Sequence, residues 1–124
     1  LNKSFLMRIL IAENNELTGV LMKLLLEQEG HQTSLVLDGL HAFSMLESER
    51  FDLVISEVLL PYYTGLEVLH MINQLEDRPH FIILSAVQNM NTVYRAYQMG
   101  IDLYMTKPFD PDHLPREIEK IRVA

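Results

Sequence analysis

Polar side chains suited to chemistry follow the apolar segments of this chain, at the points where those segments end. They are two carboxylates, an amide, a hydroxyl and an ammonium group: Glu13, Asn14, Glu57, Ser85 and Lys107. Carboxylate oxygens are ligands that Mg²⁺ prefers, and a lysine with a hydroxyl can bind the oxygens of a phosphoryl group. These residues can act together only if the fold brings the ends of the apolar segments to one place.

The apolar segments have the character of buried parallel strands. They are Met7–Ala12, Ser34–Leu37, Leu53–Ser56, Phe81–Ser85 and Ile101–Met105. Between them, apolar residues recur at helical spacing. The helical stripes are Leu17, Val20, Leu21, Leu24 and Leu25; Ala42, Phe43 and Leu46; Leu66, Leu69 and Ile72; Val93, Ala96 and Met99; and Leu114, Ile118 and Ile121. Strands alternating with single helices predict a doubly wound (βα)5 α/β fold with a five-stranded parallel sheet, whose ligands bind beyond the carboxyl ends of the strands.

Glycine and proline mark the helix boundaries. Gly30 and Gly100 predict the ends of the first and fourth helices. Pro115 is expected in the first turn of the last helix, where a missing N–H costs no intrahelical hydrogen bond. This placement favours Asp112 over Asp110 as the N-cap of that helix.

Composition limits the possible functions. The 124 residues suit one domain, and no apolar run approaches the roughly 20 residues that span a bilayer, so no membrane contact is expected. The net charge of -7 argues against direct nucleic-acid binding. The chain has no cysteine and its first residues do not form a signal peptide, which favours a cytoplasmic location. The seven methionines are expected in the core, and the histidines, which lack ligand-like spacing, on the surface: His31, His41, His70, His80 and His113.

The strand-end residues and their surroundings resemble the receiver domain of two-component response regulators, from about Met7 onward. The segments that carry the resemblance are RILIAENN, FDLVISEVLLPYYTG, FIILSA, MGIDLY and TKPFDPDHL, together with the Asp38–Gly39 pair. The resemblance implies a flavodoxin-like strand order, 2-1-3-4-5, in a single domain over residues 1–124, with residues 1–6 disordered or extraneous. It also implies a signalling module rather than an enzyme. Ser85 would be the hydroxyl switch, Tyr104 the aromatic switch and Lys107 the cation of the site.

The chain departs from the receiver pattern where the chemistry would occur. Glu57 takes the place of the phosphoacceptor aspartate, and Asn14 the place of a direct metal ligand next to Glu13. Candidate metal ligands are therefore Glu13, Asn14, Glu57 and the main-chain carbonyl of Leu59. With one carboxylate fewer, Mg²⁺ binding is expected to be weak or lost, and no other cofactor is expected. Because a misplacement of about 1 Å can cost roughly 100-fold in rate, Glu57 is not expected to be phosphorylated.

Three interpretations of Glu57 remain open. Its carboxylate reaches Ser85 or Lys107 and biases the domain toward an active-like state; or it only prevents Lys107 from being buried unpaired; or inefficient phosphorylation persists. The leading functional hypothesis is a phosphorylation-independent interaction module. The alternative is a receiver that takes phosphate from a histidine kinase with Mg²⁺. A flavin carrier of the same sheet order is a weaker hypothesis, because no hydroxyl-rich phosphate loop follows the first strand.

Several tyrosines suggest surfaces near the predicted site. Tyr62 and Tyr63 could cover the pocket, although packing over a neighbouring loop is the favoured interpretation. Tyr94, Tyr97 and Leu103 could form an apolar face for a protein partner, a fused output domain or a second copy. For Tyr97, ordinary core packing is an equally good interpretation.

Overall fold

The structure is a computed structural model that describes residues 6–123. Within this range, strands and helices alternate without exception. The strands are β1 (Arg8–Ala12), β2 (Gln32–Val36), β3 (Leu53–Ser56), β4 (His80–Ser85) and β5 (Leu103–Thr106). The helices are α1 (Glu16–Gln28), α2 (Gly39–Ser48), α3 (Gly65–Ile72), α4 (Met90–Gln98) and α5 (His113–Val123). Apart from Leu6, the predicted N-terminal extension, residues 1–6, lies outside the described residues.

The strands form one parallel sheet in the order β2-β1-β3-β4-β5, which confirms the predicted fold class. The register aligns the carboxyl ends of the central strands, with Ala12 beside Ser56. Between β4 and the outer strand β5, Ser85 lies beside Thr106. Residues that directly follow these strands therefore emerge along one edge of the sheet.

Helices cover both faces of the sheet, and each face has its own core. On one face α1 and α5 pack on β-strand residues, with Met22, Leu26, Leu114 and Ile118 fully or almost fully buried. The other face is covered by α2, α3 and α4, whose buried residues are Ala42, Leu46, Val68, Leu69, Ile72 and Ala96. Strands buried on both faces read as continuous apolar runs, which is why their positions were predictable.

The two edge strands differ from the predicted segments. β2 runs from Gln32 to Val36 rather than from Ser34 to Leu37, because an edge strand tolerates polar residues that a central strand excludes. β5 begins at Leu103, two residues after the predicted start. Ile101 lies in the connection between α4 and β5. Its apolar side chain is buried in the core, and its N–H donates to Ala96 O at 3.4 Å.

The predicted apolar stripe of α1 is not the face that packs on the sheet. The buried residues of α1 are Gly19, Met22 and Leu26. Four residues of the predicted stripe are exposed instead: Leu17, Val20, Leu21 and Leu24. Gly19 explains the orientation of the helix, because a Cβ atom there would lie 2.7 Å from Leu35 Cδ1 on β2. Without a side chain at Gly19, the helix can approach the sheet closely on this side. Apart from the half-buried Leu25, the apolar stripe recognised in the sequence therefore lies on the exposed side of α1.

Two other predictions about burial need correction. His31 is buried, not solvated, and its Nδ1 accepts a hydrogen bond from the main-chain N–H of Met7 at 3.0 Å. An accepting Nδ1 requires the neutral ring with the proton on Nε2. Met7 and Met22 are in the core as predicted, but Met90 is exposed at the start of α4.

The helix boundaries agree with the glycine and proline signals. Gly30 and Gly100 follow α1 and α4 with positive φ angles of 96° and 95°. α5 begins at His113, so Pro115 lies in its first turn and Asp112 directly precedes it. The turn before α5 is held by Asp110, whose carboxylate accepts from the N–H of Asp112 at 3.0 Å.

Candidate functional site

Three charged residues are held at the carboxyl edge because the sheet hydrogen bonds continue one residue beyond the strands. The N–H of Glu13 donates to Val36 O at 3.0 Å, and that of Glu57 to Ala12 O at 2.9 Å. Across the sheet, the N–H of Lys107 donates to Ser85 O at 2.9 Å. Their backbone positions are therefore fixed by the sheet itself, and only the side-chain torsions remain to be set.

The side chains of Glu13, Glu57, Ser85 and Lys107 meet in one group, called here the Glu57 cluster. Lys107 Nζ lies 2.5 Å from Glu13 Oε1 and 3.0 Å from Glu57 Oε1. The hydroxyl of Ser85 donates a hydrogen bond to Glu57 Oε2. The two glutamates and the serine are buried, and the side chain of Lys107 is 21% exposed. The sequence had placed these residues at one edge, and the structure brings them into direct contact.

Main-chain N–H groups also donate hydrogen bonds to the Glu57 carboxylate. Its Oε2 also accepts from the N–H of Val58 at 2.6 Å and of Leu59 at 3.2 Å. Glu13 Oε2 in turn accepts from the N–H of Asn15 at 2.8 Å. Every carboxylate oxygen of the two glutamates thus accepts at least one hydrogen bond.

The charges of the Glu57 cluster stabilise one another. Burial alone would raise the pKa of Glu57, but hydrogen bonds from Ser85, Lys107 and the Leu59 N–H outweigh burial and lower the pKa. For Lys107, burial alone would lower the pKa, and the contacts with Glu13 and Glu57 raise it above its usual value. Glu57 and Lys107 are therefore both charged at neutral pH.

The β3–α3 loop is shaped by a close approach at Gly65. Its N–H donates to Val58 O at 2.8 Å, and a Cβ atom at this position would overlap the carbonyl oxygen of Glu57. Thr64 and Glu67 form a reciprocal capping box that starts α3 directly after the loop. Only glycine at position 65 lets α3 begin so close to the backbone of Glu57.

A second chain of hydrogen bonds connects Ser85 with Tyr104. The N–H of Val87 donates to Ser85 Oγ at 3.1 Å, while the hydroxyl of Tyr104 donates to Val87 O at 2.6 Å. Tyr104 is half-buried, and burial raises the pKa of its phenol. Val87 takes part only through its backbone, so its side chain gave the sequence analysis no signal.

Two further predicted metal-ligand positions, Asn14 and Leu59, lie beside the Glu57 cluster in sequence and have other contacts or exposures. Asn14 is exposed, and the neighbouring Asn15 instead serves as the N-cap of α1, its side chain accepting from the N–H of Thr18 at 3.0 Å. Leu59 contributes its N–H to Glu57, and its side chain is exposed. The Asn15–Thr18 spacing is a capping pattern that could have been recognised in the sequence.

The donor set in this arrangement does not suit Mg²⁺. Glu13 and Glu57 direct their Oε1 atoms at the same ammonium group, and Glu57 Oε2 already accepts from a hydroxyl and two amides. In the part of the chain that the structure describes, no group of three or more His, Cys, Asp or Glu side chains is placed to hold a metal ion. A magnesium ion bound through the two Oε1 atoms would compete with Lys107 for both carboxylates.

The tyrosines near the site behave differently from one another. Tyr63 stacks on Phe43 of α2, with ring centroids 4.2 Å apart and planes 12° apart, so it packs on a neighbouring helix rather than over a neighbouring loop. Tyr62 is exposed and has a positive φ of 71°, an uncommon conformation for an aromatic residue. Tyr62 therefore lies on the surface of the β3–α3 loop.

The predicted partner face lies on α4 and β5. Tyr94 and Tyr97 are exposed, which makes core packing of Tyr97 wrong, and Leu103 is half-buried. The hydroxyl of Tyr97 accepts from the N–H of Tyr104 at 3.0 Å. Tyr97 is thus hydrogen-bonded to the backbone of Tyr104, the residue whose hydroxyl bonds to Val87 O.

Among residues 6–123, no helix combines the length and the apolar character that a membrane span requires.

Comparisons with known proteins agree with the fold. Residues 9–119 match the family model described as the response regulator receiver domain. The chain is 36% identical over 107 residues to the transcriptional regulatory protein YbdJ of Bacillus subtilis, covering 86% of this chain and 47% of YbdJ. It is 26% identical over 113 residues to sporulation initiation phosphotransferase F of Bacillus subtilis, covering 91% of each.

Among solved structures, a CheY-like receiver domain protein from Methanospirillum hungatei has the same fold, with a TM-score of 0.90 at 24% identity and coverage of 95% of this chain and 94% of that one. The chain spans about half the length of several curated relatives that it matches. The family match covers the five strands except Arg8, the first residue of β1, and most of α5, and it includes every residue of the Glu57 cluster. The chain therefore belongs to the response regulator receiver domain family, whose members are signalling modules of two-component systems.

Proposed function

We propose that this domain signals without being phosphorylated, as a receiver module that Glu57 holds in one state and that acts through protein contacts. The observation that carries this proposal is the engagement of the Glu57 carboxylate. Ser85, Lys107 and two main-chain amides donate to it, and only 6% of the residue is exposed. A carboxylate in this environment is poorly placed to attack a phosphorus atom, because in-line attack needs an accessible oxygen aimed at the donor.

The same contacts support a bias toward an engaged switch. In the receiver pattern, the hydroxyl and the lysine bind the phosphoryl group, and here Ser85 and Lys107 bind Glu57. Ser85 is in turn connected through Val87 to Tyr104. A carboxylate carries less charge and fewer oxygens than a phosphoryl group, so Glu57 supplies part of the interaction that phosphorylation would supply.

The output of this state is a protein contact, in a partner or in an attached output domain. Tyr94 and Tyr97 on α4 support this role, because they are exposed and one of them bonds to the backbone of Tyr104. A change in the position of Tyr104 would alter the Tyr97 contact directly. The acidic net charge of -7 supports a protein partner over nucleic acid. A cytoplasmic setting and homodimerisation through this face are part of the same proposal.

Incubation with Mg²⁺ and acetyl phosphate tests the proposal. Intact mass should show no phosphorylated species for the wild-type chain, and beryllofluoride should leave its amide NMR spectrum unchanged. A stable mass increase of one phosphoryl group on the wild type would instead support the alternative function, a receiver that accepts phosphate.

Glu57→Asp is the matched variant for this experiment. Shortening the side chain by one methylene withdraws the carboxylate from Ser85 and Lys107 and opens room for a phosphoryl group. Partial phosphorylation of this variant, limited by Asn14, is expected. If the wild type and Glu57→Asp accept phosphate equally, the phosphorylation-independent function is wrong.

A further inference from the structure

A groove lies beside α3, on the face of the sheet that α2, α3 and α4 cover. Helix α3 packs closely against α2 and less closely against α4. The space along α3 and α4, called here the α3–α4 groove, has a volume of about 450 Å³, which is within the range of small-molecule sites. Its lining is mostly apolar, from Phe43, Tyr63, Leu66, Met71 and Met99.

Contacts within the chain fix the shape of this groove. Where α2 and the β3–α3 loop contribute to the lining, Tyr63 stacks on Phe43 with ring centroids 4.2 Å apart. At the C-terminal ends of α3 and α4, the side-chain amide of Asn73 donates to Met99 O at 2.9 Å, and Arg78 donates to the side chain of Asn73. The groove is therefore preformed, as small-molecule sites usually are.

The apolar lining suits a flat aromatic ring. Met71 on α3 and Met99, the C-cap of α4, are both half-buried, so each presents part of its side chain to the groove. The sulfur of methionine makes favourable contacts with aromatic rings, and its flexible side chain adapts to the shape of a guest. A ring inserted here would lie among two thioethers and the stacked Phe43–Tyr63 pair.

A cation that borders the groove has no carboxylate partner. Within residues 6–123, Arg95 of α4 lies within 4 Å of no Asp or Glu oxygen, unlike most other basic side chains: Arg8, Lys23, Arg50, Lys107 and Lys120. A guanidinium can bind a carboxylate through two parallel hydrogen bonds. His70 of α3 also lines the groove, and its ring can donate one hydrogen bond more.

The acidic residue in the lining, Glu67, is engaged at the start of α3. Its Oε1 accepts from the N–H of Thr64 at 3.0 Å as part of the capping box. The partial positive charge at the N-terminus of a helix offsets the charge of a carboxylate in that position. Glu67 therefore neutralises the helix end rather than Arg95.

We infer that the α3–α4 groove binds a small planar aromatic carboxylate, with its ring beside Met71 and Met99 and its carboxylate on Arg95 and His70. An unpaired arginine in an apolar groove favours an anion even on a chain whose net charge is -7. The site is separate from the Glu57 cluster, and its use does not depend on whether Glu57 is phosphorylated.

Three compounds with the same ring and different charges test the inference: naphthoate, naphthylmethanol and naphthylmethylamine, all substituted at one ring position. Each is titrated into the ¹⁵N-labelled chain at low ionic strength and neutral pH. Naphthoate should shift the amides of Tyr63–Met71 and Arg95–Met99, with a Kd of about 1 mM or below. The alcohol should bind at least about threefold more weakly, because it lacks the contact with an exposed arginine, and the amine more weakly still.

Methyl groups of the methionines report where the ring lies. In a chain with ¹³C-labelled methionine methyls, naphthoate should shift the signals of Met71 and Met99 through its ring current. Met90, which is 75% exposed at the start of α4 and does not line the groove, is the internal control and should not shift. Cyclohexanecarboxylate, which has the charge without the flat ring, should bind more weakly than naphthoate.

Paired variants test the contact with the carboxylate. Arg95→Gln should weaken naphthoate at least about threefold and leave naphthylmethanol unchanged, because only the anion uses the guanidinium. Arg116→Gln, which removes another exposed arginine, on α5, is the matched control and should change neither. Glu67→Gln keeps the capping box without the charge and should bind naphthoate at least as tightly as the wild type. Far-UV circular dichroism verifies that the variants are folded.

Any of four results would overturn the inference: no saturation below about 10 mM naphthoate, equal affinity for the three naphthyl compounds, equal effects of Arg95→Gln and Arg116→Gln, or a methyl shift of Met90 without shifts of Met71 and Met99. Weaker binding of naphthoate to Glu67→Gln would also contradict it, since an anion gains from removal of that charge. None of these measurements uses a phosphodonor, so incubation with acetyl phosphate tests the proposed function separately.

Discussion

Charged side chains at the carboxyl end of the sheet are buried and share partners, whereas those at the amino end are exposed and mostly paired across the surface. At the carboxyl end, Lys107 lies between two buried glutamates. At the amino end, Arg8 pairs with Glu49 at 2.5 Å and Arg50 with Asp77, and these four side chains are 39–68% exposed. The polar side chain that is buried at this end, His31, is held as a neutral ring.

This difference shows which ion pairs contribute most to the stability of the domain. Exposed ion pairs contribute about 0–1 kcal/mol each because solvent screens them. A buried charge that loses its partner costs several times more, since it can neither reach water nor find another partner. The same sheet therefore tolerates substitution of ion pairs at one end and depends on them at the other.

The largest effect is expected for Lys107→Met. Removal of the ammonium group leaves Glu13 and Glu57 buried without their shared cation, at a cost of about 3–5 kcal/mol in the free energy of unfolding. Urea denaturation measures the loss. Lys23→Met, which removes a lysine from an exposed pair with Glu27, is the matched control and should cost less than about 1 kcal/mol.

Glu57→Gln added to Lys107→Met should recover part of this stability, because it removes one of the two uncompensated charges. Equal losses for the Lys107 and Lys23 variants would show that the Glu57 cluster is no more sensitive than an exposed pair.

An intermediate effect is expected for Ser85→Ala. The variant removes the hydroxyl that donates to Glu57 and accepts from the N–H of Val87. A hydrogen bond to a charged group contributes about 1.5–3 kcal/mol, and urea denaturation should show a loss of this size. Ser48→Ala serves as the control, since Ser48 is exposed and its hydroxyl bonds only to the carbonyls of Ser44 and Met45. A Ser85→Ala chain as stable as the control would contradict a strong Ser85–Glu57 bond.

A smaller, pH-dependent effect is expected from His31. Burial lowers its pKa despite the attraction of Glu29 and Glu119. A lowered pKa means that the unfolded chain binds the proton first, so the stability from neutral His31 is complete above about pH 6.5 and is lost as the pH falls toward the folded-state pKa. The free energy of unfolding, measured in urea between roughly pH 7.5 and 5.5, should show this decline at pH values where most carboxylates have not yet titrated.

His31→Gln should flatten that decline, because it removes the titrating ring. His70→Gln is the control, since His70 is exposed on α3, and it should leave the decline in place. A decline that persists unchanged in His31→Gln would place its origin elsewhere.

The smallest effect is expected for Arg50→Met at the amino end. Its pairs with Asp52 and Asp77 are exposed, so the free energy of unfolding should fall only slightly, by less than for Lys107→Met or Ser85→Ala. The difference from wild type should shrink further in about 1 M salt, where screening is strong. A loss as large as that of Lys107→Met would remove the contrast between the two ends of the sheet.

Several features followed from the sequence by itself. Buried parallel strands need continuous apolar runs, so the central strands β1, β3 and β4 were located to within one residue. Residues that follow parallel strands must emerge at one end of the sheet, which placed Glu13 after β1, Glu57 after β3 and Lys107 after β5 at the same end. The sequence also showed that Glu57 departs from the receiver pattern. Such a departure is a change of residue type at one position of the pattern, and reading it needs no structure.

Only the tertiary structure decided which surfaces and partners those residues have. Apolar periodicity shows that α1 has a leucine face but does not say what covers it, and Gly19 against Leu35 turned that face toward solvent. His31 is buried because the Met7 amide, 24 residues away in the chain, needs an acceptor. Lys107 reaches across 50 positions to Glu57 and 94 to Glu13. Such contacts depend on the register of the sheet and on the packing of helices over it, which no local pattern of residues encodes.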